Sequence, residues 1–175
     1  QAYFITQWYP KPAVYDKNGW NYFSYLDKGE YYSEFGSFDV TITLPANYVV
    51  GATGELIDGE SENIWLEEKS KQTMALSDFP TDMSFPVSSK EMKTLHFKQN
   101  NIHDFAWFAD KRWHVIKGEV ELSGSKRKII TWSFFTNAEA AFWKKAPEYI
   151  SSSIKYMSDW VGEYPYSSFT AVDVT

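Results

Sequence analysis

Between Asp104 and Asp110 the chain carries five consecutive apolar residues, Phe105-Ala106-Trp107-Phe108-Ala109. This run constrains the fold more than any other stretch. It is too short for a buried helix and too aromatic for a loop, and its polar boundaries fit a strand covered on both faces. Such a strand needs a packed layer on each side. Strand and turn signals fill the chain before it, and two further strands and then a helix follow. The run therefore marks the centre of a β domain.

The flanking strands are legible from their period. Phe38, Val40, Ile42 and Leu44 alternate with Asp39, Thr41 and Thr43, a half-buried strand that stops at Pro45. Tyr48 to Leu56 reads as a second strand, and Gly51 and Gly54 within it signal a bulge or a close backbone approach. Leu95 and Phe97 point inward from a strand over 93–98. Ile116, Gly118, Val120 and Leu122 share one face of 113–122, and 126–135 completes a hairpin with it. At the start, residues 2–9 mix β-branched and aromatic side chains and end at Pro10 and Pro12, which lack the amide hydrogen a ladder needs. Turn signals follow at Asp16-Lys17-Asn18-Gly19 and Asp27-Lys28-Gly29. The aromatics of 13–32, among them Tyr15, Trp20, Tyr22, Phe23, Tyr25, Tyr31 and Tyr32, are expected to pack an excursion over the sheet. Residues 57–90 read as an exposed excursion, with a short helix over 62–71 as the alternative.

At Thr136 the period changes. Thr136 and Glu139 have capping-box spacing. Phe142, Ala146, Ile150, Ile154, Met157 and Val161 then recur at intervals of three and four, an amphipathic helical face. Pro147 is expected to begin a second helical segment after a kink. Gly162 stands where a left-handed terminator is wanted, and 169–174 starts a new strand. The expected fold class is mainly β, sandwich- or saddle-like antiparallel sheets, followed by one C-terminal helix and a strand. The expected domains are 1–135, β-rich and incomplete at its start, and 136–175, the truncated opening of a second unit.

Composition excludes several functions. The net charge of −6 leaves only Lys126-Arg127-Lys128 as a dense basic cluster, and its position after Ser123-Gly124-Ser125 reads as a hairpin tip, so no nucleic-acid partner is expected. The chain has no cysteine, hence no disulfide, thiolate ligand or cysteine nucleophile. No apolar run approaches the ~20 residues of a membrane span. These features leave the compartment open, with a secreted or periplasmic setting preferred.

The search for chemistry finds no catalytic set. His96, His103 and His114 lack the i, i+4 spacing that puts two imidazoles on one helix face for zinc. A composite site at His103 and Asp104 stays open beside a plain strand-end histidine. Gly51-Ala52-Thr53-Gly54 lacks the spacing of a phosphate loop, and Ser151-Ser152-Ser153 reads as a solvated helix face. Aromatics are 19% of the chain. They suit pleated, half-buried surfaces, but also the stacking platforms of sugar-binding surfaces.

Several stretches together resemble the aminopeptidase N family of zinc metallopeptidases (gluzincins), in particular its bacterial branch. They are Gln7-Trp8-Tyr9-Pro10-Lys11 with Tyr15-Asp16, the segment Phe38 to Leu56, His103 to Asp110, Ser158 to Tyr166, and Phe169 to Val174. In the order of that resemblance, the first three fall in the family's N-terminal β domain. The last two match the first helix and strand of its thermolysin-like catalytic domain. The resemblance implies a zinc-dependent aminopeptidase as parent, with peptide substrate and the rest of the catalytic domain as partners. It implies no zinc ligand here, because the family's Gly-x-Met-Glu-Asn and His-Glu-x-x-His do not occur. One family position carries over: Gln1, in a Gln-Ala dipeptide that lines the substrate end of the cleft in some members. The expectation is a non-catalytic, cleft-walling fragment with no cofactor of its own. The alternative is an extracellular β-sandwich carbohydrate-binding or adhesion module.

Overall fold

A computed structural model of the chain describes residues 1–22 and 32–174. The turn expected at Asp27-Lys28-Gly29 and the aromatics Phe23, Tyr25 and Tyr31 lie outside the described residues. In chain order the elements are β1 (Tyr3–Ile5), β2 (Val14–Asp16), β3 (Gly19–Asn21), β4 (Gly36–Pro45), β5 (Val49–Ala52) and β6 (Glu55–Ile57). Then come α1 (Glu60–Ala75), β7 (Met92–Ile102), β8 (Trp107–Asp110), β9 (His114–Glu121) and β10 (Lys128–Phe135). The chain closes with α2 (Ala140–Trp143), α3 (Ala146–Val161) and β11 (Ser168–Val172). The architecture is mainly β, with several sheets, none closed, and a helix near the C-terminus followed by a strand.

The expected central strand sits inside a sheet of order β1–β8–β5, antiparallel throughout. Side-chain parity splits its two faces. Val50, Ala52, Phe105 and Ala109 face a core shared with Ile42 and Leu44 of β4 and Leu95 and Phe97 of β7. Val49 and Phe108 face the opposite way, into a core with Leu66, Trp113, Val115 and Phe134. The sheet β4–β7–β6 forms one outer layer, and α1 with β9–β10–β11 forms the other.

Two glycines make the layering possible. A Cβ on Gly51 would lie 2.8 Å from the Phe134 ring, so β5 can approach β10 this closely only without a side chain there. Gly54 has φ +90°, a conformation L side chains rarely adopt, and packs on the Lys98 carbonyl. Here the structure corrects the single strand expected over 48–56. The chain bends at Thr53-Gly54, so β5 belongs to the central sheet and β6 to the outer one.

The excursion over 57–90 is also corrected. Residues 60–75 form a full helix, whereas 76–90 run without regular structure. The buried residues of α1 are Glu62, Leu66, Ser70 and Thr73, a polar face that carries no apolar stripe. Such a face suits its position, because α1 lies along β9, the open edge of its sheet. The Val115 amide donates to Thr73 Oγ1 at 3.2 Å and the Lys117 amide to Ser70 Oγ at 2.9 Å. The helix thus meets edge amides that would otherwise lack partners. At its first turn, Lys93 Nζ donates to Glu62 Oε1 at 2.6 Å, both side chains nearly enclosed (13% and 10% exposed). Burial pushes the Glu62 carboxyl up and the Lys93 ammonium down from their ordinary ranges.

β9 and β10 form the expected hairpin, and β11 extends it in parallel through Ile130↔Ser168 to Phe134↔Val172. Parallel neighbours need a long crossover, which α2 and α3 supply. Pro147 lies in the first turn of α3, as expected of a second helical segment. Only part of the expected apolar face is covered. Ile154 and Ser158 are buried and Ile150 partly so, while Phe142, Met157 and Val161 are exposed. The capping box does not form. Thr136 is buried, and its amide and hydroxyl both donate to Asp173 Oδ2, at 3.2 and 3.1 Å. The start of α2 therefore carries no side-chain cap. Gly162 has positive φ (116°) but extended ψ (147°), so it ends α3 outside the left-handed helical region.

These contacts predict graded effects. Gly51→Ala should destabilise the chain by about 1–3 kcal/mol through overpacking. Gly36→Ala, where a Cβ meets nothing nearer than 3.8 Å, should change urea-melt midpoints far less. Thr73→Val keeps the side-chain shape but strands the Val115 amide. It should lower stability by about 1–3 kcal/mol and accelerate hydrogen exchange at that amide. Lys93→Met alone should destabilise by about 3 kcal/mol, because it removes the ammonium that donates to an enclosed carboxylate. Glu62→Met with Lys93→Met should recover most of that loss in the same melts.

Candidate functional site

One opening lies where the central sheet, α1 and the β9–β10–β11 sheet meet. It is a crevice of about 310 Å³ that runs from Gly51 and Gly54 past Leu56 and Leu66 to Trp132 and Ser168. A smaller opening of about 200 Å³ adjoins it and shares Gly51, Gly54 and Thr170, with Tyr164 and Tyr166 at its wall. Because the crevice follows from layers that cannot close fully over β5 and β6, its position is set by the fold rather than by one loop.

Its charged groups are Glu55, Glu62, Glu67 and Lys117, and all of them have partners. Glu67 accepts from Lys117 Nζ at 2.6 Å, which holds its carboxyl below the usual range. Glu62 is held by Lys93, and Glu55 accepts from the Ser167 hydroxyl. Lys117 Nζ also lies 5.6 Å from the Trp132 ring centroid. The crevice thus presents donors, acceptors and an aromatic floor, an arrangement suited to contact and positioning.

The residues singled out from sequence fall elsewhere. Gln1 is exposed at the chain start, outside the crevice lining, and its carbonyl accepts from the Tyr48 hydroxyl at 2.9 Å. Asp104 serves as an anchor. Its Oδ1 accepts from Tyr9 Oη at 2.8 Å and from the Phe105 amide at 2.8 Å, and its Oδ2 from Lys11 Nζ at 2.6 Å. Those bonds clip the aromatic-Pro turn to the head of the central strand, where Trp8 Nε1 also donates to the Phe105 carbonyl. His103 lies against Phe35, with ring centroids 3.9 Å apart and the planes tilted by 34°. The structure thus favours the plain strand-end reading of His103 over a composite site. His96 pairs with Asp39 across β4 and β7, and His114 with Asn137, each at 2.6 Å. Among the described residues no group of three or more His, Asp or Glu side chains converges as metal ligands.

The remaining sequence candidates are structural or solvated. Lys126 and Lys128 reach Glu121 and Glu119 on the neighbouring strand, and Arg127 reaches the Tyr164 carbonyl, so the basic cluster is a hairpin tip. Ser152 and Ser153 are exposed on α3. The exposed Trp8, Trp20 and Trp160 contact Tyr9, Tyr15 and Tyr156, the first two edge-on, and do not form a row with one another. Among the described residues no helix is long and apolar enough to cross a membrane.

Sequence reasoning missed the buried pairs Asp110–Arg112 and Thr136–Asp173. The first is a forked ion pair with Nη2–Oδ2 at 2.5 Å, whose signal was the Asp-x-Arg spacing at a strand end. The second joins residues 37 positions apart and has no local signal.

No protein-family model matches the sequence, and no curated protein matches it either. Solved structures do match. Two of them are crystal structures of a two-domain M1 zinc metallopeptidase variant bound to L-arginine and of the M1 zinc metallopeptidase from Deinococcus radiodurans. Each has a TM-score of 0.46 and 14% identity, over 80% of this chain and 26% of the matched chain. The chain thus spans about a quarter of the length of those structures. A likeness of this size bears on neither site residues nor chemistry.

Proposed function

We propose that the chain is a non-catalytic part of a zinc-dependent, aminopeptidase-like metallopeptidase. In this reading residues 1–135 wall one side of the substrate cleft, and 136–175 open the thermolysin-like domain. The observation that carries it is the order of the matching stretches in the sequence. It draws support from the elements those stretches form: 38–56 runs from within β4 into β6, 103–110 ends in β8, and 169–174 takes in all of β11 but its first residue. The aromatic-Pro turn at Trp8-Tyr9-Pro10 is clipped to Asp104 of the third such stretch, so two separately matched segments are in contact.

The partner in this reading is the remainder of the catalytic domain. Tyr149, Tyr156, Trp160 and Val161 on α3 are exposed, and that side of the helix is the surface the further domain would cover. Zinc would be held by that domain. It would act as Lewis acid and activator of water, while the residues described here shape the cleft and restrict substrates to chain ends. Gln1 would stand at the substrate end of the cleft.

Two measurements test the reading. The 175-residue chain should neither retain zinc in equilibrium dialysis nor hydrolyse aminoacyl-anilides. The coding sequence downstream of Thr175 should carry Gly-x-Met-Glu-Asn and His-Glu-x-x-His within about 80 residues, the spacing the family resemblance implies. Hydrolysis by the chain itself, or a downstream sequence that encodes a glycosidase domain or a stop, would overturn it.

A further inference from the structure

Between α1 and β7, residues 82–89 run without regular structure, and among the described residues none of their main-chain groups bonds to another main-chain group. Side chains from elsewhere in the fold hold this strap instead. Asn137 Nδ2 donates to the Asp82 carbonyl at 2.6 Å, and Arg112 Nη1 to the Met83 carbonyl at 3.4 Å. Lys111 Nζ donates to the Pro86 carbonyl and, at 3.1 Å, to Ser88 Oγ. Asn47 grips at two points. Its Nδ2 donates to the Val87 carbonyl and its Oδ1 accepts from the Ser89 amide, each at 2.9 Å. Four side chains thus read five main-chain groups of one short stretch.

The body of the fold holds most of these readers. Arg112 is forked onto Asp110, with the Nη2–Oδ2 contact at 2.5 Å. His114 Nε2 pairs with Asn137 Oδ1 at 2.6 Å, and Lys111 Nζ lies 5.3 Å from the Tyr48 ring centroid. These three keep a partner when the strap leaves, so the frame is preorganised for a main chain.

The strap itself buries little. Ser84, Phe85, Pro86, Val87 and Ser88 are exposed, Val87 at 91%, and the Phe85 ring lies 3.9 Å from the Arg112 guanidinium. A hydrogen bond gains a net free energy comparable to the cost of ordering one residue. Five such bonds over residues 82–89 therefore leave the strap close to balance. Where affinity comes from main-chain hydrogen bonds, side chains set only the preference, and a different peptide can satisfy the same donors and acceptor.

We propose that Asn47, Lys111, Arg112 and Asn137 form a main-chain-reading peptide site. In the resting protein its own residues 82–89 fill it, and an unstructured peptide segment of another polypeptide competes for it. The site is independent of the cleft-walling role and stands whether or not that reading holds.

Hydrogen exchange on the 175-residue chain tests whether the strap lifts alone. The Ser89 amide should exchange well ahead of the buried Val115 amide, and Asn47→Ala should speed Ser89 far more than Val115. Exchange of Ser89 only together with Val115 would overturn the proposal, and this arm needs no engineered strap. The second arm replaces 82–89 by a Gly-Ser repeat of equal length, whose main chain costs more entropy to order. The probe is a fluorescein-labelled peptide of residues 80–91. Saturable anisotropy is expected, with tighter binding than to the wild-type chain, whose strap competes. Adding Asn47→Ala or Lys111→Met should weaken it about tenfold, equivalent to about 1.4 kcal/mol, whereas Lys155→Met, exposed on α3, should not. A peptide shuffled around a fixed Pro86 should keep most of the affinity, and N-methylation at Ser89 should lower it. Circular dichroism identifies the variants that fold. No saturable binding to a folded strap variant would sink the proposal. So would unchanged affinity in Asn47→Ala and Lys111→Met, an equal loss in Lys155→Met, or loss of binding on shuffling.

Discussion

The central β1–β8–β5 sheet meets a packed layer on each face, and the rest of the fold follows from that enclosure. Val50, Ala52, Phe105 and Ala109 belong to one core, Val49 and Phe108 to the other. A one-residue slip of β8 would exchange its two faces at once, so the register is fixed from both sides. The enclosure also explains where small residues are needed. Gly51 faces Phe134 and Val172, and its missing Cβ lets the β10–β11 layer settle onto β5.

Enclosing a sheet leaves its edges to be dealt with, because unpaired amides and carbonyls there invite other strands. In the sheet of β9, β10 and β11 the β9 edge is covered without a strand. The Val115 and Lys117 amides meet hydroxyls from α1, while the Lys117 side chain returns to Glu67 of the same helix. The helix therefore docks through polar groups at the spacing of sheet amides. Its hold on the other outer layer comes from Lys93 and Glu62, whose enclosure works against both charges. Such a pair fixes geometry more than it adds stability.

This explains which parts were legible in the sequence. Period-2 alternation in Phe38 to Leu44, and the aromatic run ended by Asp110, report burial directly, and both strands form as expected. Helix α1 was visible only as a short alternative over 62–71, because its buried positions include Glu62, Ser70 and Thr73, residues that a search for apolar periodicity counts as solvent-facing. The capping box at Thr136 failed for the reverse reason. A local pattern was present, but Asp173 offered both donors a buried acceptor from far along the chain, and tertiary pairing displaced the local one. The split of 48–56 between two sheets was half visible. Gly54 marked the irregularity, but only the neighbouring strands decide that the chain changes sheet there. In the candidate site, His96, His114 and the basic cluster, all visible in the sequence, have partners on neighbouring segments. The crevice could not be read, because its walls come from 50–67, 95–97, 117–134 and 167–170, brought together by packing alone.

The position of β10 bears most on the proposed role. The proposed division between residues 135 and 136 follows the end of this strand, yet β10 is bonded to β9 on one side and to β11 on the other. Phe134 rests on Gly51 of the central sheet and pairs with Val172 in the same turn of structure. The buried Asp173 then ties the end of β11 back to Thr136. Displacing the helix–strand segment from the β layers would mean breaking a sheet ladder, uncovering an aromatic core and stranding a buried carboxylate together. The two proposed units, joined this way, would move as one, since interfaces between mobile domains are smaller and more polar. The proposed cleft wall would have to hold its distance from the chemistry it borders, and a shared strand would provide that where a linker would not.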